Sequence, residues 1–359
     1  MNYNKEELEK KIHKMREEGL PVFSFSKLGS YDECPFCYKM AYIDKNRDTL
    51  SNIYSELGTA LHDGLEEIYN GGDNHLKEKF ENAYLNCVTN NLTFGRQSTQ
   101  DNYLANMRNF IENFQKDDLK CFNEYLFLIE IEGIYITGYI DRITKNPENP
   151  QTLRIIDYKT STKYAKKDLI EKGRQLVLYA YAIEQLSGMK VTSICWNMLK
   201  YVTVEFTGKL KNGRKKKSST LFERSKVVYT FRNEIIQALE DKGYSSDESI
   251  DIYCEALETD KIPEQVRDMF IIKDGYVEHT YNEETLQELK DYIRITVENI
   301  NKESKWKPKK LDEYNVFGCS VLCNYRHICP YLKDFISKKN YIDVEIEDVD
   351  NSEFAGLVG

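Results

Sequence analysis

Three short segments in the middle of this chain are rich in β-branched and aromatic residues, and they restrict what it can fold into. They span residues 124–132, 134–143 and 153–159, with Gly133 and the turn-forming segment 146–150 between them. Such segments separated by turn residues predict a meander of strands. Helical patterns lie on both sides of the meander. This order predicts an α/β fold in which a mixed central β-sheet is flanked by helices, with helical N- and C-terminal additions.

The other elements follow from the spacing of apolar residues. Helices are predicted over 5–18, 26–45 (with Ser26 as a candidate N-cap), 56–70, 102–116, 167–187, 233–260 and 283–302. Further strands are predicted over 190–198, 201–207 and 226–232, the last paired with 201–207 across the basic turn 208–220.

The charge balance limits the class of protein. The 50 Lys and Arg are outnumbered by 59 Asp and Glu, which gives a net charge of −9 and excludes a uniformly basic nucleic-acid coat protein. A local basic groove is still allowed, because net charge says nothing about its distribution. No apolar run approaches the ~18 residues of a membrane span, and residues 1–16 lack the apolar stretch of a secretory signal. We therefore expect a soluble protein without a membrane partner, in the cytoplasm of a bacterium or, if virus-encoded, of the host.

Two acids and a lysine stand at the ends of predicted strands. Asp141 and Asp157 each follow apolar residues, and Lys159 is two residues after Asp157. Residues i and i+2 of a strand share a face, so Asp157 and Lys159 should project together, and Asp141 could join them from a neighbouring strand. Paired carboxylates hold a hard cation such as Mg²⁺, and a nearby ammonium can orient a water for attack on a phosphodiester. A salt bridge on a solvated face is the alternative, but acids at the ends of buried strands favour a site.

Three more residues could belong to the same site. Gln175 and Tyr179 are four apart on a predicted helix and share a face. His62 lies on the predicted helix 56–70. A lone helical histidine is more often structural than a ligand, yet neutral imidazole can complete a Mn²⁺ or Mg²⁺ shell beside carboxylates.

The order of these motifs resembles the PD-(D/E)xK nuclease superfamily, specifically its RecB-like exonuclease branch. The motifs are His62, Gly138-Tyr-Ile-Asp141-Arg142, Asp157-Tyr158-Lys159 and Gln175-Leu-Val-Leu-Tyr179. The resemblance spans about residues 56–200. It implies a restriction-endonuclease-like core and a DNA exonuclease that depends on Mg²⁺ or Mn²⁺. It also implies a set of metal ligands: His62, Asp141, Asp157 and the main-chain carbonyl of Tyr158. Lys159 would position the attacking water, and Gln175 and Tyr179 would complete the site and touch DNA.

Three of the nine cysteines fall within eleven residues near the end of the chain: Cys319, Cys323 and Cys329. In a reducing compartment such a cluster indicates a metal site more than disulfides. A fourth ligand is missing locally, and Cys34, which precedes a proline, is the best candidate. Cys37 could take its place, or His327 could complete a Cys₃His zinc site, or the three could be plain apolar cysteines. The remaining cysteines are interpreted as core residues: Cys87, Cys121, Cys195 and Cys254.

The same nuclease branch includes iron–sulfur enzymes, namely the CRISPR-associated adaptation exonucleases and the nuclease domain of AddAB-type helicase–nucleases. In them a Cys-Pro near the start and three cysteines near the end hold a [4Fe–4S] cluster, and residues 26–35 resemble their opening motif. The resemblance implies such a cluster on Cys34, Cys319, Cys323 and Cys329. The closing spacing departs from the family pattern, with Cys-x₃-Cys-x₅-Cys in place of Cys-x₂-Cys-x₅-Cys. Zinc therefore stays open as the alternative metal.

A basic run follows the predicted strand 201–207, where a hairpin tip is expected: Lys209, Lys211, Arg214, Lys215, Lys216 and Lys217. Charge runs are often only solvated faces, but beside a nuclease site this one could bind DNA phosphates.

These features together predict a metal-dependent DNA exonuclease that is stabilised by a [4Fe–4S] cluster. It would act on single-stranded or duplex DNA ends in recombination, repair, replication or defence, with protein partners from a recombination, replication or CRISPR-type system. No Gly-x-x-x-x-Gly-Lys-Ser/Thr loop is present, so no helicase motor is expected. The alternatives are a non-catalytic DNA-end-binding subunit, against which the presence of Lys159 and both acids argues, and a zinc-stabilised structural adaptor.

The expected organisation has five parts. They are an N-terminal helical segment with the first cluster cysteine (1–55), the nuclease core (56–207), a basic hairpin with a helical addition (208–302), a C-terminal cysteine segment (303–340) and an acidic tail (341–359).

Overall fold

The computed structural model describes residues 3–208, 216–308, 311 and 316–339. Its helices are α1 (Lys5–Glu17), α2 (Phe25–Glu33), α3 (Pro35–Tyr38), α4 (Ile53–Tyr69), α5 (Leu76–Thr89), α6 (Gln97–Asn113), α7 (Leu169–Ser187), α8 (Val227–Thr230), α9 (Arg232–Asp241), α10 (Ser246–Thr259), α11 (Glu283–Lys302) and α12 (Pro330–Lys339). Its strands are β1 (Val22–Phe23), β2 (Cys121–Ile131), β3 (Ile134–Asn146), β4 (Asn149–Lys159), β5 (Val191–Phe206), β6 (Lys216–Glu223) and β7 (Phe270–His279). Within these ranges no helix combines the length and the apolar character that crossing a membrane requires.

The strands form one mixed sheet. β3 pairs with β1, β2 and β4, and β5 pairs with β4, β6 and β7. The β1–β3 and β4–β5 pairs are parallel, and the other pairs are antiparallel. α7 is the crossover that joins the parallel neighbours β4 and β5, as a parallel pair requires. The expected fold class, a mixed central sheet flanked by helices, is confirmed.

Helices cover both faces of the sheet centre. Alternate residues of β4 and β5 enter two different hydrophobic clusters, as the two-residue period of a strand requires. Ile155 and Trp196 pack with residues of α7 and α11, whereas Ile156 and Cys195 pack with residues of α4, α5 and α6. Because the middle of the sheet is closed on both faces, a substrate can reach polar side chains only near the ends of the strands.

A separate cluster forms where β5 runs beyond the central sheet. Val202, Val204 and Phe206 pack there against residues of α8, α9 and α10. The prediction of a strand over 226–232 is wrong, because α8 and the start of α9 occupy this region. Its β-branched residues favour a strand, but Val227, Val228 and Phe231 are buried at helical spacing against this cluster. The partner of β5 in the hairpin is β6 instead.

The expected helix 26–45 is also interrupted. Its N-cap lies two residues earlier, because the side chain of Ser24, not Ser26, accepts a hydrogen bond from the N–H of Lys27. It stops at Cys34, whose backbone is extended, and Pro35 begins α3 as the first helical residue. The cysteine thereby stands at a break between two helices.

Several other boundaries differ from expectation. The strands predicted over 190–198 and 201–207 form one strand, β5, and the helix predicted over 233–260 is divided into α9 and α10. The sequence patterns missed α5, α12, β1, β6 and β7. Cys87 and Cys195 are buried as expected, but Cys121 is half-buried and Cys254 is exposed, so these two are not core residues.

Candidate active site and cysteine cluster

The acids and the lysine meet where β3 and β4 diverge. Asp157 is 2% exposed, and its Oδ2 lies 3.0 Å from Nζ of Lys159, as expected for two side chains on one face of a strand. Asp141 Oδ2 accepts a hydrogen bond of 2.7 Å from the N–H of Tyr158. That backbone group lies between Asp157 and Lys159 in the chain, so the three charged side chains share one small site.

His62 approaches this site from α4. Its Nε2 lies 3.2 Å from the carbonyl oxygen of Tyr158, and its Nδ1 lies 3.5 Å from Asp141 Oδ2. Burial lowers the pKa of His62, although the charge of Asp157 opposes this effect. The imidazole is therefore held in the neutral form, which is the form that binds metals.

Lys159 is fixed from the side of α7. Its Nζ donates to Oε1 of Gln175 at 3.3 Å, and Nε2 of Gln175 donates to the hydroxyl of Tyr179 at 2.9 Å. Burial is the largest single influence and would lower the pKa of Lys159, but Asp157, Tyr164 and Asp141 together outweigh it and the pKa is raised. The lysine is thus a permanent cation that can donate hydrogen bonds but cannot serve as a base near neutral pH.

Glu124 is a further member of the site, and the sequence patterns did not reveal it. Ligand atoms of Glu124, His62 and Asp141 all lie within 4.8 Å of one another. Glu124 has a backbone φ of 45°, in the left-handed region that non-glycine residues rarely occupy. The pairing of Asn123 with Arg142 and of Tyr125 with Ile140 places it opposite Asp141. Counting pairs outward from the turn at Gly133 would have revealed this position.

The carboxylates of this site repel one another. Burial, and then the charge of Asp141, raises the pKa of Glu124 to about 7. Burial and the charge of Asp157 raise the pKa of Asp141 well above its ordinary value, although Lys159 opposes them. A group of acids that retains protons near neutral pH lacks a counter-charge, and a divalent cation would supply one.

A pH-dependent stability follows from the raised pKa of Glu124. In EDTA, the folded state keeps the proton of Glu124 up to about pH 7, whereas the unfolded chain loses it near the ordinary pKa of 4.5. Wild-type stability should therefore fall as the pH rises through this window. We expect Glu124→Gln to be more stable than wild type by about 1–2 kcal/mol at pH 8, after allowance for solvent screening, and equal to it at pH 4.

Thermal melting in EDTA at both pH values measures this difference. The matched control is Glu130→Gln, which removes an exposed glutamate of the same strand and should follow wild type. Equal melting temperatures of Glu124→Gln and wild type at pH 8 would contradict the raised pKa of Glu124 and the repulsion between the acids.

Five cysteines converge at a second place. Cys37 Sγ lies 3.4 Å from Cys323 Sγ, and Cys34 Sγ accepts a hydrogen bond of 3.4 Å from the N–H of Cys37. Burial raises the pKa of Cys319 to about 12, with smaller contributions from the charges of Cys323, Cys34 and Cys329. Burial, together with Cys323 and Cys34, also raises the pKa of Cys329. Cys34 is thus within electrostatic reach of all three C-terminal cysteines.

Cys37 has a different relation to the group. Its hydrogen bond to Cys323 is the main cause that lowers the pKa of Cys323 and raises that of Cys37. Either sulfur of this pair could be the donor, and the two pKa shifts favour Cys37 in that role.

Hydrogen bonds between residues 46–52 and 322–327 hold the two cysteine-bearing segments together, and we call this contact the closing seam. The N–H of Leu50 donates to the carbonyl of Asn324 at 2.8 Å, and Arg326 donates to the carbonyl of Ser51 at 2.7 Å. Nε2 of His327 donates to Asp48 at 2.8 Å, while its Nδ1 is buried without a partner among the described residues. His327 therefore keeps one nitrogen that could bind a metal.

The basic run lies mostly outside the described part of the chain. Lys209, Lys211, Arg214 and Lys215 are outside the described residues, and the side chains of Lys216 and Lys217 are not described. The backbone pairing of Lys216 with Phe206 and of Lys217 with Glu205 puts these two lysines at the start of β6. Their role in DNA binding stays a prediction.

Comparisons with known proteins agree with this geometry. Residues 22–330 match the model of the PD-(D/E)XK nuclease superfamily. The chain is similar to a subunit of the ATP-dependent helicase/deoxyribonuclease of Clostridium perfringens strain SM101, with 28% identity over 223 residues that cover 50% of this chain and 19% of the relative. The same subunit of strain ATCC 13124 is 27% identical with the same coverage. The chain thus spans about a fifth of the length of these relatives.

One solved structure shows a more distant likeness. It is a candidate exonuclease of Eubacterium rectale, with a TM-score of 0.39 and 11% identity, and the match covers 87% of this chain and 92% of that protein.

Proposed function

The chain belongs to the PD-(D/E)XK nuclease superfamily, and we propose that it is a DNA exonuclease that uses Mg²⁺ or Mn²⁺ and carries a [4Fe–4S] cluster. The observation that carries the catalytic part is the convergence of Asp141, Asp157 and Lys159 at one site, with Asp157 buried and the Asp157–Lys159 pair at 3.0 Å. A metal-binding pair of acids beside a fixed ammonium is suited to phosphodiester hydrolysis.

The donor set fits a hard divalent cation. Asp141, Asp157 and Glu124 offer carboxylate oxygens, the main chain of Tyr158 offers a carbonyl, and His62 offers a neutral nitrogen. Oxygen-rich sites favour Mg²⁺ and Mn²⁺, and a single imidazole is compatible with Mn²⁺. The raised pKa values of Glu124 and Asp141 support this assignment, because a bound cation would offset the repulsion between the acids.

The roles of the side chains follow from their contacts. A bound cation would activate the attacking water and offset charge on the phosphate. Lys159, held between Asp157 and Gln175, would donate a hydrogen bond to that water or to a phosphate oxygen. The water oxygen would form a bond to phosphorus while the bond from phosphorus to the leaving sugar oxygen breaks. The attacking water would release a proton to solvent and the leaving sugar oxygen would take one up, which gives a phosphate monoester and a free hydroxyl. Tyr179 would fix Gln175 and through it the direction of the ammonium.

The cysteines support the second part of the proposal. Four thiols within electrostatic reach can provide the thiolate ligands of a [4Fe–4S] cluster, with Cys34, Cys319, Cys323 and Cys329 as the proposed set. Cys37 would then donate a hydrogen bond to a ligand sulfur, an interaction that tunes such clusters. Zinc on the same thiols, or on three of them with His327, is the competing assignment.

The biological process is proposed at the level of DNA ends. The Clostridium perfringens relatives are named as subunits of a helicase/deoxyribonuclease. We extend this to the present chain as DNA end processing in recombination, repair, replication or defence, with a DNA-translocating protein as its partner.

A nuclease assay tests the proposed function. Anaerobically purified protein should release short products from end-labelled single- or double-stranded DNA in Mg²⁺ or Mn²⁺, and EDTA should abolish the release. Covalently closed circular DNA is the matched control, and an exonuclease should leave it intact. Tight binding to ends without cleavage in either metal would instead favour a non-catalytic end-binding protein.

A further inference from the structure

A wide groove lies beside the proposed active site. It has a volume of about 1500 Å³ and runs between α1, the segment 116–128 and the C-terminal end of α7. We call it the lysine groove. None of the residues proposed above for metal or cluster binding lines it.

The charge of the lysine groove is opposite to that of the whole chain. Its lining includes six lysines, Lys10, Lys11, Lys14, Lys116, Lys120 and Lys145, and three carboxylates, Glu7, Asp117 and Asp118. Asp117 already accepts a hydrogen bond of 2.6 Å from the buried Arg142, so its charge is compensated. A locally positive groove on a chain of net charge −9 is suited to a polyanion.

Aromatic rings lie among these lysines. Phe122 is 60% exposed, which is unusual for a large apolar side chain. Its ring meets that of Tyr125 edge-on at 5.9 Å, and Tyr125 stacks on Tyr3 at 4.2 Å. Lysines interleaved with accessible aromatic rings are typical of single-strand binding, in which bases stack on the rings and the lysines contact phosphates.

The groove and the proposed active site share elements of the fold, since residues of β2 and α4 contribute to both. Tyr125 lines it and directly follows Glu124, and the charge of Lys5 near the start of α1 acts on Glu124. Tyr69 also lines it and lies seven residues after His62 on α4, about 10 Å along the helix axis. A DNA strand held in the groove would therefore lie within a few nucleotides of the proposed metal ligands.

We propose that the lysine groove binds single-stranded DNA and guides it to or from the active site, with Phe122 as a stacking platform and Lys11, Lys14 and Lys120 as phosphate contacts. This inference rests on the proposed function for the identity of the ligand. It differs from the basic run at 209–217, most of which lies outside the described residues.

The test is binding of a fluorescent oligothymidylate to the full chain in EDTA, where cleavage cannot interfere. We expect Phe122→Ala to weaken binding about ten-fold, equal to about 1.4 kcal/mol. The triple variant Lys11→Gln, Lys14→Gln and Lys120→Gln should weaken binding and lower the slope of log K against log salt by about two units, at roughly 0.7 per lost phosphate contact.

Matched controls remove equivalent groups elsewhere. Tyr229→Ala deletes a ring that is 72% exposed, and the triple variant Lys261→Gln, Lys302→Gln and Lys305→Gln deletes three exposed lysines. Both should bind like wild type, and melting curves should verify that all variants are folded.

The outcomes separate the groove from the catalytic proposal. Unchanged affinity and salt slope in both groove variants would overturn the groove assignment, and would mean that the groove serves another occupant, such as a protein partner or the acidic segment 343–350. If wild type cleaves DNA in that case, the proposed function stands alone. If wild type cleaves no DNA but the groove variants lose binding, the groove stands and the proposed function fails.

Discussion

Replacing Lys159 by methionine is expected to lower the rate of DNA cleavage by at least about a hundred-fold, the usual loss for one fixed donor at a reacting group. Lys159 is held at 3.0 Å from Asp157 and at 3.3 Å from Gln175, and its raised pKa keeps it charged. Methionine has a similar length but donates no hydrogen bond. Asp157→Asn should cause a loss of similar size, because it removes a charge from the proposed metal ligands.

Rates on end-labelled DNA at saturating Mn²⁺ measure this effect, and melting curves and iron content show whether the fold and the cluster survive. The control pair is Lys302→Met and Asp291→Asn, which remove exposed charges on α11. Both control variants should keep the wild-type rate. A rate above about a tenth of wild type for Lys159→Met, on the scale of about 1.4 kcal/mol per decade, would refute its assignment.

Replacing Cys34 by serine is expected to remove iron and sulfide from anaerobically purified protein and to lower its melting temperature. The same loss is expected for serine at Cys319, Cys323 or Cys329, because the free energy of metal binding in such sites is partly folding free energy. Cys37→Ser should keep the iron, since Cys37 is proposed only as a hydrogen-bond partner of the Cys323 sulfur, a role that a hydroxyl can take.

Metal analysis of the five serine variants and of His327→Ala separates the assignments. Loss of iron in Cys37→Ser with retention in Cys34→Ser would mean that Cys37, and not Cys34, is the fourth ligand of the cluster. Stoichiometric zinc without iron in wild type would mean that the cysteines hold zinc and not an iron–sulfur cluster. If that zinc were lost in His327→Ala and kept in Cys34→Ser, the ligand set would be Cys₃His.

Much of the candidate site could be predicted from the sequence because its residues lie in regular elements. The two-residue period of β4 places Asp157 beside Lys159, and the four-residue spacing on α7 places Gln175 beside Tyr179. The α/β class followed from the same patterns. Glu124 was missed because its position depends on the register between β2 and β3 and on a rare backbone conformation, which apolar periodicity does not encode.

The less predictable parts are those in which tertiary contacts override local preference. Residues 226–232 favour a strand by composition but are helical, because Val227, Val228 and Phe231 fill the cluster against β5. The clustering of Cys319, Cys323 and Cys329 in sequence predicted a metal site, but no local pattern could show that Cys37 would lie 3.4 Å from Cys323, 286 residues away.

The closing seam also affects how the chain would respond to force. It joins residues 46–52 to residues 322–327, so nearly all of the sheet lies within the loop that it closes. An ATP-driven protease that engaged the C-terminal residues and pulled would meet α12 and then this seam before any tension reached β3 or β4. Several hydrogen bonds would have to break there together, with the metal–sulfur bonds added if the cluster is bound. If a cluster is bound, its loss would leave only the hydrogen bonds of the seam, and we expect the chain then to be unfolded and degraded faster, without any change at Asp141 or Asp157.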